Sequence, residues 1–296
     1  MIKGRILKAI SGFYYVKAED TVYECKARGS FRNSKISPLA GDDVLITPDG
    51  EKGVIEEICE RKNSFIRPPV ANIDQFIIVV SSKQPKPNYF VIDKLISIAE
   101  YKGVEPILAF TKVDLRFDSE SIAIYEKAGF TCVVADYENE QSDWKARLLD
   151  LLKNKTTVFI GNSGVGKSTL LNHLGFGLDL KTAQISEKLG RGRHTTRHVE
   201  IFPLEFGGFV ADTPGFSDVD LHKTEGIMKE ELFATFREFA DFANDCRFLD
   251  CSHTRELGCS VLDAVKRGDI PASRHESYLA LYEQLRPLES WQLKKK

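Results

Sequence analysis

Gly161-Asn162-Ser163-Gly164-Val165-Gly166-Lys167-Ser168 limits the possible folds more than any other stretch of the chain. It fits G-x-x-x-x-G-K-[ST], and its surroundings suit that reading. Thr157-Val158-Phe159-Ile160 before it reads as a buried strand, and Thr169-Leu170-Leu171-Asn172-His173-Leu174 after it opens a helix. Strand, glycine-rich turn and helix in that order imply an α/β layer around a parallel sheet. The glycines let backbone N–H groups turn inward with no side chain in the way. Those donors and the helix N-terminus favour a phosphate. Lys167 would reach the outer phosphates, Ser168 would ligate Mg²⁺, and Thr169 completes the loop. The flanking strand and helix favour this reading over an ordinary glycine-rich turn.

A second motif names the base. Val104 to Phe110 reads as another parallel strand, and it ends in Thr111-Lys112-Val113-Asp114, which resembles the [NT]-K-x-D guanine signature of GTPases. A carboxylate only accepts hydrogen bonds, so Asp114 suits the N1–H and exocyclic amine of guanine. Adenine presents an acceptor at N1 and would leave that carboxylate unpaired. The stem of Lys112 is expected over the base plane. Thr111 stands where Asn is commoner, which puts one contact to the base edge or the phosphate loop in question.

The third piece is Phe209-Val210-Ala211-Asp212-Thr213-Pro214-Gly215, an apolar strand delivering D-x-x-G. Asp212 would hold Mg²⁺ through water, and the Gly215 N–H would contact the γ-phosphate. Thr195 and Thr196 are equal candidates for the switch threonine between the two motifs. Ordinary GTPases run P-loop, threonine, D-x-x-G, then N-K-x-D. Here T-K-V-D comes before the P-loop, which is the order of a circular permutation. A permutation keeps the motifs together at the carboxyl ends of the strands, and it makes the D-x-x-G segment lead directly into whatever follows residue 222.

The 296 residues allow two or three domains, and 42% hydrophobic residues support a sizeable core. The net charge of −2 argues against a generic nucleic-acid sponge, yet it hides local asymmetry. Residues 1–40 carry eight Lys/Arg against three acids, and residues 181–200 five against two. Each cluster is either a phosphate-backbone footprint or a solvated face. No run of eighteen apolar residues predicts a transmembrane helix, and no signal-peptide core precedes the first strand. Ile2 to Ile10, Phe13 to Lys17, Thr21 to Arg28, Asp43 to Thr47 and Gly53 to Cys59 read as five short strands, which suits a small barrel such as the OB-fold. Phe13, Tyr14, Tyr15 and Phe31 stand beside basic residues. Most are expected in the core, with one or two, Phe31 foremost, open to RNA. Arg61 to Val70 reads as a linker.

Cys246-x₄-Cys251-x-His253-x₅-Cys259 is a complete tetrahedral Cys₃His set, which predicts a structural zinc site with no open position. A redox pair or chance clustering competes with it, because the spacing is not C-x-x-C. Cys25, Cys59 and Cys132 are isolated and read as small buried hydrophobes. Ser273-Arg274-His275-Glu276 predicts a capping box opening a helix, with Tyr278, Leu281, Tyr282 and Leu285 inward.

The permuted order, Gly190-Arg191-Gly192-Arg193-His194-Thr195-Thr196, Asp212-Thr213-Pro214-Gly215-Phe216 and the cysteine cluster together resemble the ribosome small subunit-dependent GTPase A family (RsgA, also called YjeQ). The resemblance spans nearly the whole chain. It implies an OB-fold RNA-binding β-barrel at 1–67, a circularly permuted α/β P-loop GTPase at 68–222 and an α-helical zinc domain at 223–296. It also implies a monomeric cytoplasmic enzyme that binds GTP and GDP, Mg²⁺ and one Zn²⁺. That enzyme acts on the small ribosomal subunit and its rRNA late in maturation, hydrolysing GTP with stimulation by the subunit. The family's guanine-side Ser-Ala loop would follow Val134. Here it reads Ala135-Asp136, so that contact is expected from a backbone amide.

Phe216 follows D-x-x-G where Ras-like enzymes place a glutamine, so intrinsic hydrolysis is expected to be slow. His194 either accepts from the attacking water or only contacts RNA or caps its loop. Three classes of function remain open: a GTPase assembly factor for the small subunit, a GTP-gated RNA-binding switch in which hydrolysis is secondary, and a zinc-stabilised metabolic NTPase.

Overall fold

The computed structural model describes residues 1–29, 31, 36–176, 199–212, 221 and 225–288, with the side chain of Asp212 left out. His194, Thr195, Thr196, Gly215 and Phe216 therefore lie outside the described residues, as do Trp291 and the Lys294-Lys295-Lys296 tail.

The chain starts with β1 (Ile2–Ile10), β2 (Phe13–Ala18), β3 (Thr21–Ala27), β4 (Asp43–Asp49) and β5 (Lys52–Ile58), close to the five expected strands. β1 pairs with both β2 and β4, and β3 pairs with β5, so the sheet closes into a barrel. Inward positions alternate with outward ones. Ile6, Val16, Ala18, Cys25, Val44, Ile46 and Ile55 fill the interior. Phe31 packs against this core, and Phe13 is the exposed aromatic of the four considered. Part of the basic cluster is paired: Arg5 bonds Asp43, Lys8 bonds Glu200 and Arg28 bonds Glu56, while Arg32 and Lys35 lie outside the described residues.

The expected linker carries structure. β6 (Ser64–Phe65) and β7 (Val70–Ala71) form a hairpin, and Phe65 is buried against Phe76 with ring centroids 5.4 Å apart. A linker would leave that phenyl ring in water; its apolar area drives the segment onto the sheet.

Next come β8 (Gln75–Ser81), α1 (Tyr89–Tyr101), β9 (Glu105–Thr111), α2 (Ser119–Lys127), β10 (Thr131–Val134), α3 (Trp144–Leu152), β11 (Thr156–Ile160), α4 (Lys167–Leu174), β12 (Glu200–Pro203) and β13 (Phe209–Asp212). Every residue of β8 and β11 is buried, as expected of parallel strands covered on both faces. Asn88 and Asp118 cap α1 and α2 with their side chains, accepting from Val91 N–H and Ser121 N–H. Among the described residues the strand order is β10-β9-β8-β11-β13-β12, continuing through β1 into the barrel. β10 through β13 pair in parallel in that order, and β12 runs antiparallel between β13 and β1.

The C-terminal region has 3-10 turns at Leu232–Thr235 and Arg237–Phe239, then α5 (Ser260–Arg267) and α6 (Ala272–Leu285). The capping box is not realised. Pro271 is the N-cap and α6 starts at Ala272, which places Ser273 inside the helix. Arg274 is fully buried instead. Its Nη1 lies 2.6 Å from Asp93 of α1 and its Nε 2.6 Å from Glu238. Tyr278, Leu281 and Leu285 face inward as expected, while Tyr282 is half-buried.

Candidate nucleotide site and metal cluster

β11 runs into the phosphate-loop motif at Gly161. A Cβ there would meet the Val79 carbonyl oxygen at 2.5 Å, and the residue's φ is +145°. Only glycine lets the loop leave β11 so close to β8. Gly166 (φ +101°) is the N-cap of α4 and brings no capping side chain. The first-turn amides of α4 are thus suited to an anion, with the positive end of the helix dipole behind them. Lys167 folds onto its own loop, with Nζ 2.5 Å from the Gly161 carbonyl and 2.9 Å from that of Asn162. Burial lowers its pKa. Val165 is buried, while Ser163, Gly164, Ser168 and Thr169 are exposed.

The base motif is fastened to this loop. Thr111 is buried at the end of β9, with Oγ1 2.5 Å from the Val165 carbonyl and 3.3 Å from that of Val80. A hydroxyl has one proton, and the shorter contact takes it. The P-loop contact that the Thr111 substitution put in question is therefore present. Lys112 adopts the left-handed conformation (φ +58°), and its Nζ donates to the Gly164 carbonyl at 2.7 Å and to that of Gln84. Two consecutive residues of T-K-V-D thus grip two consecutive residues of the loop. Val113 is buried and Asp114 exposed.

β10 brings the next loop alongside, with Val134 opposite Phe110. The amides expected to serve guanine are engaged elsewhere. Ala135 N–H donates to the Phe110 carbonyl at 2.8 Å, and Asp136 N–H to that of Val134 at 3.1 Å. Tyr137, which follows, stacks flat on His173 of α4, with centroids 4.1 Å apart and planes 4° apart. Trp144 sets its edge against both rings. Sequence reasoning passed over Tyr137 and His173. The available signal was an aromatic residue directly after a loop position where small polar residues are expected.

On the other side of β11, Val158 pairs with Ala211. The backbone of Asp212 therefore ends beside the P-loop strand, on the flank away from Asp114.

Cys246, Cys251, His253 and Cys259 come together as the spacing predicts, with all ligand atoms within 4.8 Å of one another. Cys246 Sγ and Cys259 Sγ lie 3.8 Å apart, and His253 Nδ1 is 3.6 Å and 3.5 Å from them. A tetrahedral ion with about 2.3 Å bonds to sulfur and about 2.0–2.1 Å to nitrogen would hold its ligands about 3.6–3.8 Å apart. The donor set fits a metal ion. His275 Nε2 donates to the His253 carbonyl at 2.8 Å, and Ser260 Oγ–H points to Cys246 Sγ, so an outer layer orients the ligands. Glu256 accepts from Ser252, Thr254 and Arg255 and braces the same loop. Of the three other thiols, Cys25 and Cys132 are buried as expected and Cys59 is half-buried.

A family profile described as RsgA GTPase matches residues 58–222, and one described as RsgA N-terminal domain matches 3–55. The chain is 45% identical over 292 residues to the small ribosomal subunit biogenesis GTPase RsgA of Caldanaerobacter subterraneus subsp. tengcongensis, covering 97% of each. It is 44% identical to the protein of the same name from Alkaliphilus metalliredigens, covering 97% of this chain and 98% of that one. The crystal structure of YloQ, a circularly permuted GTPase, superposes with a TM-score of 0.79 at 35% identity over 97% of this chain and 96% of the other. YjeQ from Thermotoga maritima superposes with a TM-score of 0.81 at 33% identity over 97% and 99%. With a phosphate loop gripped by a base motif that precedes it in sequence, and with these likenesses along its length, the chain belongs to the RsgA family of circularly permuted GTPases.

Proposed function

We propose that this GTPase binds the small ribosomal subunit and its rRNA in the cytoplasm, late in subunit maturation, as a monomer whose hydrolysis of GTP the subunit stimulates. The observation that carries this reading is the near-full-length likeness to proteins named for small-subunit biogenesis. The domain bounds we propose are residues 67 and 222.

In this reading the backbone of Gly161 to Gly166 and the first turn of α4 cradle the phosphates, and Lys167 turns from its own loop's carbonyls toward them. Thr111, Lys112, Val113 and Asp114 select guanine. Ser168, Asp212 and one of Thr195 and Thr196 would hold Mg²⁺, which supplies charge neutralisation between the outer phosphates. Gly215 would sense the γ-phosphate, and His194 would position the attacking water. The Cys₃His cluster would hold Zn²⁺ as a structural ion, because four protein ligands leave no open position. The GTPase barrier is lowered by positioning and charge, so an incomplete site turns over slowly until a partner completes it.

GTP turnover with and without purified small subunits tests the reading. Turnover that rises severalfold or more with subunits is expected. Equal rates would remove the subunit from the account and favour a metabolic NTPase.

A further inference from the structure

The metal loop holds a strained backbone at one of its own ligands. Cys251 and His253 are separated by one residue, yet both must reach a single ion. His253 turns the chain by adopting the left-handed conformation (φ +55°). Glycine is the usual residue there. Glycine has no imidazole, so here the ligand itself takes that conformation. Strain of this kind persists only where the surroundings impose it. His253 is 3% exposed, so the amides and carbonyls beside it also need partners within the protein.

Those partners converge from two sides. Glu256 Oε1 accepts from the Ser252 N–H at 2.9 Å and from the Ser252 hydroxyl. Its Oε2 accepts from the Thr254 and Arg255 N–H groups at 3.0 Å each. One carboxylate thus bonds the amide before the histidine and the two amides after it. Backbone N–H groups turned together make a concavity for an anion, and here the chain fills it with its own side chain. From the other side α6 takes the carbonyls. Tyr278 OH donates to the Ser252 carbonyl at 2.6 Å and His275 Nε2 to that of His253 at 2.8 Å. Glu256 stands outside the Cys₃His set, and both of its oxygens are occupied by donors.

We propose that Glu256 is a positioning residue for the metal: by tying the amides on both sides of His253, it holds that residue left-handed and so presents Nδ1 to the ion. This rests on the metal reading of the Cys₃His cluster. Each oxygen serves a different side of His253, so an isosteric amide cannot replace the carboxylate. Whichever way a glutamine is turned, its NH₂ group faces N–H donors.

The test measures Zn²⁺ affinity by competition with a chelator, on the full-length protein. Glu256→Gln and Glu256→Ala should each weaken binding about 10- to 100-fold, the usual effect of removing a group that orients a metal ligand. In a His253→Ala background, Glu256→Gln should change affinity by less than about twofold, because the group it positions is already gone. GDP affinity should stay at the wild-type value in every variant, as it does while the GTPase sheet remains folded. Wild-type Zn²⁺ affinity in Glu256→Gln overturns the proposal, since filling the space is then enough. Equal losses in both backgrounds overturn it too, by making Glu256 a brace for the loop as a whole. So does a loss of GDP binding in step with the metal. If the wild-type chain itself takes up no Zn²⁺, the metal reading fails and the proposal with it.

Discussion

Arg274→Met probes the joint between the GTPase sheet and the C-terminal helices. Arg274 is fully buried. It bonds Asp93 and Glu238, whose side chains are 0% and 6% exposed, and its guanidinium also faces the Phe236 ring at 4.5 Å. Tyr125 OH donates to the same Asp93 oxygen at 3.0 Å. Methionine fills similar volume but leaves two carboxylates without their cation. Breaking a buried pair from one side costs about 3–5 kcal/mol, against about 0.2–1 kcal/mol for an exposed pair. Burial already raises the Asp93 pKa despite Arg274. Without the cation Asp93 takes up a proton more readily, so the loss should shrink as pH falls. Hydrogen exchange along α6 reads the opening free energy of this joint without requiring the whole chain to unfold in one step. The expected loss at neutral pH is about 3 kcal/mol or more. The triple variant Arg274→Met/Asp93→Asn/Glu238→Gln should recover much of it, because no charge is then stranded. A single-variant loss under about 1 kcal/mol, or a triple variant no more stable than the single, would refute the reasoning.

Asp114→Asn should weaken GDP and GTP binding and gain xanthine nucleotides, since the new amide donates where the carboxylate accepted; unchanged GTP affinity by calorimetry would sink the base assignment. Elemental analysis should find one zinc per chain, and Cys251→Ser should loosen residues 246–260 in hydrogen exchange while GTP binding survives; a well-ordered metal-free native protein would remove the site. His194→Ala should leave nucleotide affinity nearly intact and lower subunit-stimulated turnover about 10²-fold, the lower end of general-base effects. Full stimulated turnover by that variant, docked on the subunit, would move the search to a group supplied in trans.

The phosphate loop, the base motif and the metal cluster were legible because each is a local pattern whose chemistry follows from spacing. The Cys₃His set lies within fourteen residues and comes together as that spacing implies. The features that were not legible are non-local. β12 has four residues and only two strong apolar ones, Ile201 and Phe202. It becomes a strand by pairing with β13 on one side and β1 on the other. Arg274 looks like a solvated helix residue until Asp93, 181 positions away, supplies its counter-charge. The capping-box pattern failed for a local reason. Pro271, with φ −61° and ψ 131°, takes the N-cap and starts the helix ahead of Ser273. Tyr137 belongs to no local motif, and its stack on His173 is a contact between residues far apart in sequence, while the Ala135 and Asp136 amides before it are consumed in backbone bonds.

Permutation gives the strands around the D-x-x-G motif unusual neighbours. β12, antiparallel to β13, is also hydrogen-bonded to β1 of the barrel, and Lys8 and Glu200 bridge the junction at 3.0 Å. Beyond the motif, none of the described residues adds a strand to the GTPase sheet. Leu221 and Ile227 enter the core, and the buried Glu225 side chain meets Lys102 at the end of α1, 3.1 Å away. Each described flank of the segment 213–220 is therefore anchored to a different part of the molecule, one through a barrel strand and one through the route into the metal-cluster region. A displacement of Gly215 on loss of the γ-phosphate would pull against these two anchors. In the ordinary motif order the chain after D-x-x-G continues into the rest of the GTPase sheet, whereas here it leads into the C-terminal region. In the proposed reading, with Gly215 as γ-phosphate sensor, the permutation would couple that sensor to the barrel and to the C-terminal region through the backbone itself, while the proposed base and phosphate contacts would remain on the sheet.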